Sequence, residues 1–248
     1  MCNRIKKNIS DKSAMVMVVC SSRMFHLSTT SSTGTGTESS SLKKSGHKLR
    51  FHRPQSQPLV METVQAKDES SAPPRRLILL RHAKSSWEDR SLKDHDRPLS
   101  KAGETDAIQV TYKLQQLGWI PGLILSSDAR RTRQTLKIMQ DQVQAFLEAE
   151  IHFISSFYSV AAMDGQTADH LQQAICRYAR DEILTVMCMG HNRGWEEAAS
   201  TFSGASIELK TCNAALLEAA GKSWEEAFLL AGHGGWKLQQ LVKPNGIP

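Results

Sequence analysis

Four large aliphatic residues in a row, Leu77–Leu80, lead directly into Arg81 and His82. An uninterrupted aliphatic run of this length is typical of a strand that is buried on both faces of a parallel sheet. Ligands of open α/β sheets bind beyond the carboxyl ends of such strands, so the Arg-His pair lies where a site is expected. An arginine beside a histidine suits a negatively charged ligand, and the working hypothesis is phosphate chemistry.

The rest of the body alternates between apolar runs and segments with helical spacing. The predicted strands are 77–80, 123–125, 151–153 and 183–189, followed near the end by 213–219 and 226–230. Residues 236–243 are predicted to be a last strand or an extended tail. The predicted helices begin after Ser100, at residue 129 or 130 (running toward 146), at 167 and at about 195, while 85–96 and 158–165 are predicted loops. This alternation predicts an α/β fold with a largely parallel sheet.

Two more of the predicted strands end in residues suited to an anion. The strand 183–189 is followed by Gly190 and His191, and the strand 123–125 precedes a helix whose first turn is strongly basic. That turn contains Arg130, Arg131 and Arg133. Cations at a helix N-terminus oppose the helix dipole, whereas an anion is favoured there, so we expect an anion to be shared at this point.

These residues fit the transfer of a phosphoryl group. A neutral imidazole can attack phosphorus and form a covalent phosphohistidine, which divides one difficult displacement into two easier ones. Two guanidinium groups can hold the phosphoryl oxygens by bidentate, charge-assisted hydrogen bonds. Each well-placed donor of this kind typically lowers the activation free energy by about 3–4 kcal/mol. A second histidine adds one more donor, and the chemistry requires neither a metal nor a cofactor.

Residues 1–74 differ in composition from the body. The chain has a net charge of +6, but residues 1–66 contain ten Lys and Arg against three Asp and Glu, which leaves the body nearly neutral and disfavours a nucleic-acid-binding function. Residues 28–41 are mostly Ser, Thr and Gly. A basic, Ser-rich and acid-poor start predicts a disordered targeting segment and linker, with the chloroplast favoured over the mitochondrion and an untargeted cytoplasmic tail as the alternative. Pro73-Pro74 marks the predicted boundary with a domain at 75–248.

Cysteine usage and hydropathy exclude several other classes of protein. The five cysteines form no CxxC pair and no cluster with zinc-like spacing, which favours a reducing compartment over a disulfide framework. No apolar run approaches the ~18 residues of a membrane span. We therefore expect neither a metal site nor a membrane anchor.

Four motifs in order resemble the histidine phosphatase superfamily, and specifically its SixA-type phosphohistidine phosphatase branch. They are LLRHAKSSW, DHDRPLSKAG, ILSSDARRTRQT and GHNRGWEE, and the resemblance covers about residues 76–244. It implies a phosphoglycerate mutase-like, three-layer α/β/α sandwich with a mostly parallel central sheet. It also implies a metal-independent phosphatase in which His82 is the nucleophile, and Arg81, Arg131 and His191 complete the phosphate pocket.

Arg131 is preferred to Arg130 because the superfamily pattern places its arginine four residues after a serine and four before a threonine. Ser127 and Thr135 satisfy both spacings. Arg130 and Arg133 are then surface charges.

The general acid and the substrate contacts are less well defined. Larger members of the superfamily use an additional carboxylate to protonate the leaving group, which the SixA-type branch generally lacks. The nearest candidates by position are Asp89, Asp96 and Asp164. Lys84, Ser85 and Asn192 flank the pocket residues and are candidates either for substrate contact or for loop capping. The chain also lacks long insertions that would roof over a small substrate, so the pocket is expected to be shallow and open.

A missing acid favours phosphoramidates and other good leaving groups over alkyl phosphates. The leading hypothesis is a phosphatase for phosphohistidine or another phosphorylated protein. Two alternatives stay open at this point. One is a hydrolase of a small phosphorylated metabolite, and the other is a non-catalytic phosphate-binding module.

Overall fold

The computed structural model describes residues 73–244 of the chain. The predicted targeting segment lies almost entirely outside the described residues, and its boundary at residue 74 lies at their edge. Both therefore stay predictions. Within residues 73–244, no helix is long and apolar enough to cross a membrane.

The described residues contain six strands, which form one sheet in the order β3-β2-β4-β1-β5-β6. The strands are β1 Arg75–Arg81, β2 Leu123–Ser126, β3 Glu150–Phe153, β4 Thr185–Gly190, β5 Ala214–Ala219 and β6 Lys237–Val242. The four strands β1 to β4 are mutually parallel, whereas β5 and β6 join the edge of β1 in antiparallel pairing. The predicted α/β fold with a mostly parallel sheet is confirmed.

In the part of the chain that the structure describes, six α-helices cover the two faces of this sheet. They are α1 Lys101–Gln116, α2 Arg130–Gln142, α3 Ser156–Val160, α4 Thr167–Tyr178, α5 Gly194–Ser203 and α6 Trp224–Ala231. Alternate side chains of β1 point to opposite faces, since successive residues of a strand do so. Ile78 and Leu80 pack in a core with α1 and α2, and Leu77 and Leu79 pack in a second core with the other four helices. The result is the three-layer sandwich that the resemblance implies.

The prediction of a strand at 226–230 is wrong. Those residues belong to α6, whose N-cap is Ser223, and the Ser223 hydroxyl accepts a hydrogen bond from the backbone N–H of Glu226 at 3.0 Å. Ser and Glu at this spacing form the sequence signature of a capping box, which marks a helix start.

Two other predicted boundaries also shift. The helix α2 ends at Gln142, before the predicted residue 146, and a short 3-10 turn at Gln144–Phe146 follows it. The predicted loop 158–165 begins inside α3.

Candidate active site

Three neighbouring strands end at one edge of the sheet and bring His82, Ser127 and His191 together. Arg81 is paired with Gly190 in β1 and β4, so each histidine is the next residue after a paired strand end. The backbone N–H of His82 donates to the Gly190 carbonyl at 3.0 Å, which extends this pairing by one step. Because β4 lies between β1 and β2, Ser127 follows the third strand end on the other side of His191.

Arg131 joins the two histidines. It is the second residue of α2, and only 6% of its surface is exposed. Its Nε donates to His82 Nε2 at 3.1 Å, and its Nη2 lies 3.2 Å from His191 Nδ1. The Thr135 hydroxyl fixes this turn of the helix, because it donates to the Arg131 carbonyl at 2.8 Å and accepts from the Ala83 N–H at 3.1 Å.

The contacts of His82 define its tautomer. Its Nδ1 lies 2.7 Å from the Ala83 carbonyl, which can only accept, so Nδ1 carries the proton. Its Nε2 faces Arg131, which can only donate, so Nε2 carries a free lone pair. Burial lowers the pKa of His82 to about 3, and the positive charges of Arg131 and Arg81 act in the same direction. The imidazole is therefore neutral at pH 7, with Nε2 available as a nucleophile.

The second histidine is held in the opposite tautomer. Arg131 donates to Nδ1 of His191, so its proton lies on Nε2, which donates to the Ser127 hydroxyl at 2.7 Å. Burial lowers the pKa of His191 to about 2, helped by the neighbouring His82 and Arg131. Both imidazoles are neutral in the free protein, and their ring centroids lie 5.0 Å apart.

Asp94 is the carboxylate of the site, and the sequence did not single it out. Its Oδ2 lies 2.9 Å from Arg131 Nη2, and its main-chain carbonyl accepts from Nη1 at 2.5 Å. The Tyr158 hydroxyl donates to the same Oδ2 at 2.8 Å. Partial burial alone would raise the pKa of Asp94, but the hydrogen bond from Tyr158 and the charge of Arg131 outweigh it and hold that pKa below its ordinary value. Asp94 is therefore ionised at neutral pH.

These groups line a cavity of about 300 Å³. Its lining residues are Arg81, His82, Lys84, Ser85, Trp87, Asp94, Arg131, His191, Asn192 and Thr211. All seven residues predicted for the site are thus brought together. Arg81 donates from Nη1 to the Leu209 carbonyl at 2.9 Å, while its buried Nε has no hydrogen-bond partner within residues 73–244. A buried donor of this kind needs an acceptor, and an anion in the cavity would supply one.

The three carboxylates predicted as acid candidates do not line the cavity. Asp89 accepts from the N–H and hydroxyl of Ser91, and Asp96 faces His95 on an outer surface. Asp164 is exposed and lies 4.0 Å from Arg193. This placement argues against direct proton transfer from any of the three to a leaving group in the cavity.

The other two arginines of α2 lie outside the cavity. Arg130 is exposed. Arg133 donates from Nε to the Asp128 carbonyl at 2.9 Å, and its guanidinium lies over the Phe153 ring at 3.8 Å. Of the three adjacent basic side chains, only Arg131 lines the cavity.

The described residues contain no cluster of three or more His, Cys, Asp or Glu side chains that could hold a metal ion. A metal-independent reaction stays a prediction.

Comparison with known proteins agrees with this geometry. The sequence-family model of the histidine phosphatase superfamily (branch 1) matches residues 77–186. An uncharacterized chloroplastic protein of Arabidopsis thaliana is 68% identical over 180 residues, which are 73% of this chain and 83% of the relative.

Solved structures show the same fold. A protein proposed to be the phosphohistidine phosphatase SixA of Agrobacterium tumefaciens is 25% identical, with a TM-score of 0.53 over 69% of this chain and 99% of that one. A protein from Nakamurella multipartitia, also proposed to be the phosphohistidine phosphatase SixA, is 23% identical. Its TM-score is 0.57, and the match covers 71% of this chain and 99% of that one. The chain belongs to the histidine phosphatase superfamily. It is a phosphatase, and its fold is that of the SixA-type members.

Proposed function

We propose that this phosphatase works through a covalent phosphohistidine on His82 and that its substrate is phosphohistidine or another phosphoramidate in a protein. The observation that carries the proposal is the hydrogen-bonded row from His82 through Arg131 to His191 inside one cavity. It combines a neutral nucleophile with a fixed guanidinium, and these are the two components that phosphoryl transfer requires.

In the first step, Nε2 of His82 attacks phosphorus. An N–P bond forms, and the bond from phosphorus to the leaving group breaks as the leaving group departs with its electron pair. Arg131 holds the phosphoryl oxygens together with Arg81, so its present bond to Nε2 is exchanged for bonds to the substrate. In the second step water attacks the phosphorus and forms an O–P bond, the N–P bond breaks with its electron pair returning to His82 Nε2, and the proton lost by the water passes to solvent as inorganic phosphate is released.

Among residues 73–244, the cavity is lined by no carboxyl group other than Asp94, and this favours a phosphoramidate. Asp94 lines the cavity but is ionised and paired with Arg131, so it acts as a positioning residue for that guanidinium. An alkoxide leaves poorly without a proton, whereas the imidazole of phosphohistidine departs as a neutral ring once solvent has protonated its other nitrogen. We therefore rank phosphoramidates above alkyl phosphates as substrates.

The test of the mechanism is a trapping experiment with the whole protein. In the presence of a chelator and a chromogenic aryl phosphate, the wild type should turn over and yield an acid-labile phosphoenzyme, and His82→Ala should do neither. The matched control is His233→Ala, because His233 is an exposed histidine that does not line the cavity. Turnover that the chelator abolishes, or labelling that persists in His82→Ala, would contradict the proposal.

A substrate comparison separates the two enzymatic hypotheses. The kcat/KM for a phosphohistidine peptide should exceed that for sugar phosphates by at least an order of magnitude. The reverse order would make a small phosphorylated metabolite the substrate. Phosphate binding without any turnover would support the non-catalytic alternative.

For localisation we propose import into the chloroplast. The Arabidopsis relative is described as chloroplastic, and the composition of residues 1–74 is that of a transit peptide. A fluorescent reporter fused behind residues 1–74 should accumulate in chloroplasts. A mitochondrial or diffuse cytosolic signal would overturn this proposal.

A further inference from the structure

Trp87 is a large aromatic side chain exposed at the cavity that holds His82. It is 63% exposed, although burying an aromatic ring is normally favourable. It nevertheless lines the same cavity as His82 and Arg131. Its position places it beside whatever group is attached to a phosphoryl group bound there.

One face of the indole is already occupied. The guanidinium carbon of Arg97 lies 3.8 Å from the ring centroid, and Arg97 itself is only 8% exposed. Arg97 Nε lies 3.4 Å from Asp94 Oδ1, and Asp94 in turn bonds Arg131. The stacked pair is therefore connected through one carboxylate to the guanidinium that faces the nucleophile.

The backbone around Trp87 is also held in place. Ser85 forms an isolated antiparallel bridge with Leu99, and the Ser86 N–H donates to the Pro98 carbonyl at 2.8 Å. These bonds set residue 87 opposite residue 97. A side chain fixed in advance loses less conformational entropy when a ligand stacks on it, so more of the contact energy appears as affinity.

The stacked cation also determines what the outer face accepts. The negative face of an aromatic ring attracts a cation, and Arg97 already occupies one face. An ammonium group on the other face would be repelled by Arg97 and has no ring to stack, whereas a planar ring gains stacking energy over its whole area. The outer face of Trp87 thus favours aromatic and heteroaromatic rings over ammonium groups and saturated rings.

We propose that Trp87 is a stacking platform for an aromatic leaving group, so that the substrates of the site are phosphoryl groups carried on planar rings. This inference rests on the proposed function and deepens it, because the imidazole of phosphohistidine is such a ring. The phenol ring of phosphotyrosine is the other side chain with the same chemistry, and the two are distinguished below.

The test measures the binding of two phosphonates of similar size that cannot be hydrolysed. Benzylphosphonate presents a flat aromatic ring, and cyclohexylmethylphosphonate presents a saturated ring on the same linker. We expect the wild type to bind the aromatic compound about three- to tenfold more tightly, the range of a typical aromatic pair. In Trp87→Leu the ratio should fall to about one, and Trp87→Phe should keep part of it.

Phe153→Leu is the matched control. Phe153 is also an exposed aromatic residue, at 43%, and Arg133 stacks on it at the same 3.8 Å, but it does not line the cavity. The ratio of the two affinities should be unchanged in this variant. Retained binding of orthophosphate shows that the pocket of each variant is folded.

The outcomes separate the two proposals. If orthophosphate and both phosphonates fail to bind the wild type, the proposed function fails. If orthophosphate binds but the two phosphonates bind equally, or if Trp87→Leu keeps the preference for the aromatic compound, only the proposal that Trp87 is a stacking platform is overturned. The effect of Trp87→Leu on kcat/KM is then compared for a phosphohistidine peptide and a phosphotyrosine peptide. A larger loss for the phosphohistidine peptide supports the imidazole as the ring that stacks on Trp87. An equal loss for a sugar phosphate would overturn the assignment.

Discussion

Asp94 and Arg131 form an ion pair of 2.9 Å between Oδ2 and Nη2, although they are 37 residues apart in the sequence. The inner side of the guanidinium faces the two histidines, and its outer side is bonded to the side chain and main chain of Asp94. Arg131 is therefore fixed on both sides before substrate arrives. Fixed donors of this kind need little reorganisation during the reaction.

The hydroxyl of Tyr158 supports this ion pair from the rim. In Tyr158→Phe, Asp94 loses one of its hydrogen bonds and holds Arg131 less firmly. We expect kcat/KM to fall about three- to tenfold, since one such bond contributes on the order of 1 kcal/mol. Tyr112→Phe is the control, because the Tyr112 hydroxyl bonds Gln142 away from the site. Equal effects of the two variants would exclude a positioning role for Tyr158.

Substituting Lys for Arg distinguishes Arg131 from its neighbour in the same turn. A lysine keeps the charge but lacks the planar fork that reaches both histidines, so Arg131→Lys should lower kcat/KM at least about 100-fold. Arg133→Lys should stay within about twofold, because Arg133 faces Asp128 and Phe153. Steady-state kinetics on an aryl phosphate measures both. A large loss in Arg133→Lys would contradict the placement of Arg131 as the phosphate-binding arginine.

Gly190 lies where the end of β4 meets the ring of Trp195. A Cβ added at residue 190 would lie 2.3 Å from that ring, which is itself buried. Gly190→Ala should lower the free energy of unfolding by about 2–3 kcal/mol, the upper part of the range for an overpacked core. In Gly122→Ala the nearest atom, in Ile183, lies at 3.4 Å, so the change should stay within about 1 kcal/mol. Urea denaturation measures both, and equal stabilities would contradict the close packing.

The buried histidines predict a loss of stability in mild acid. Burial holds the pKa of His82 at about 3 and that of His191 at about 2, whereas both titrate near 6.5 in the unfolded chain. Below pH 6.5 the unfolded state therefore binds more protons than the folded state. The free energy of unfolding must fall as the pH decreases, by about 2 kcal/mol per histidine between pH 7.5 and pH 5.

Urea denaturation of the wild type and of His82→Asn at the two pH values checks this prediction. The variant lacks one of the two buried histidines, so its loss of stability between the two pH values should be smaller by about 2 kcal/mol. His233→Asn should resemble the wild type, since His233 is exposed. A wild-type stability that is flat from pH 7.5 to pH 5 would contradict the neutral, buried state of the histidine pair.

Local patterns in the sequence were sufficient for the strand ends but not for the contacts around them. The aliphatic run before Arg81 and the run before His191 identify two buried strands, and parallel strands place their ends at one edge. Asp94 and Tyr158 were missed because they lie 64 residues apart, in segments predicted as loops. A polar loop has no periodicity that would indicate which of its side chains turns inward. The DxxR spacing of Asp94 and Arg97 was the available signal, and in the structure it is an ion pair.

The error at 226–230 has a different cause. A short apolar run is compatible with a buried strand and with a buried helix, so periodicity alone cannot distinguish them. The distinguishing signal lay just before the run, in Ser223 and Glu226, because a capping serine satisfies a backbone donor that only a helix leaves free.

The antiparallel direction of β5 determines where this fold can change its substrate specificity. Because β5 runs opposite to β1, the segment 204–213 reaches the cavity before it enters the sheet. Thr211 lines the cavity there, and the Leu209 carbonyl accepts a hydrogen bond from Arg81. The strand order does not depend on the length of that segment, and lengthening a connection between fixed elements costs little free energy. Residues inserted beside Thr211 would therefore rebuild one side of the pocket while His82 and Arg131 keep their places. This side of the molecule is a natural position for divergence among relatives and for grafting a designed recognition loop.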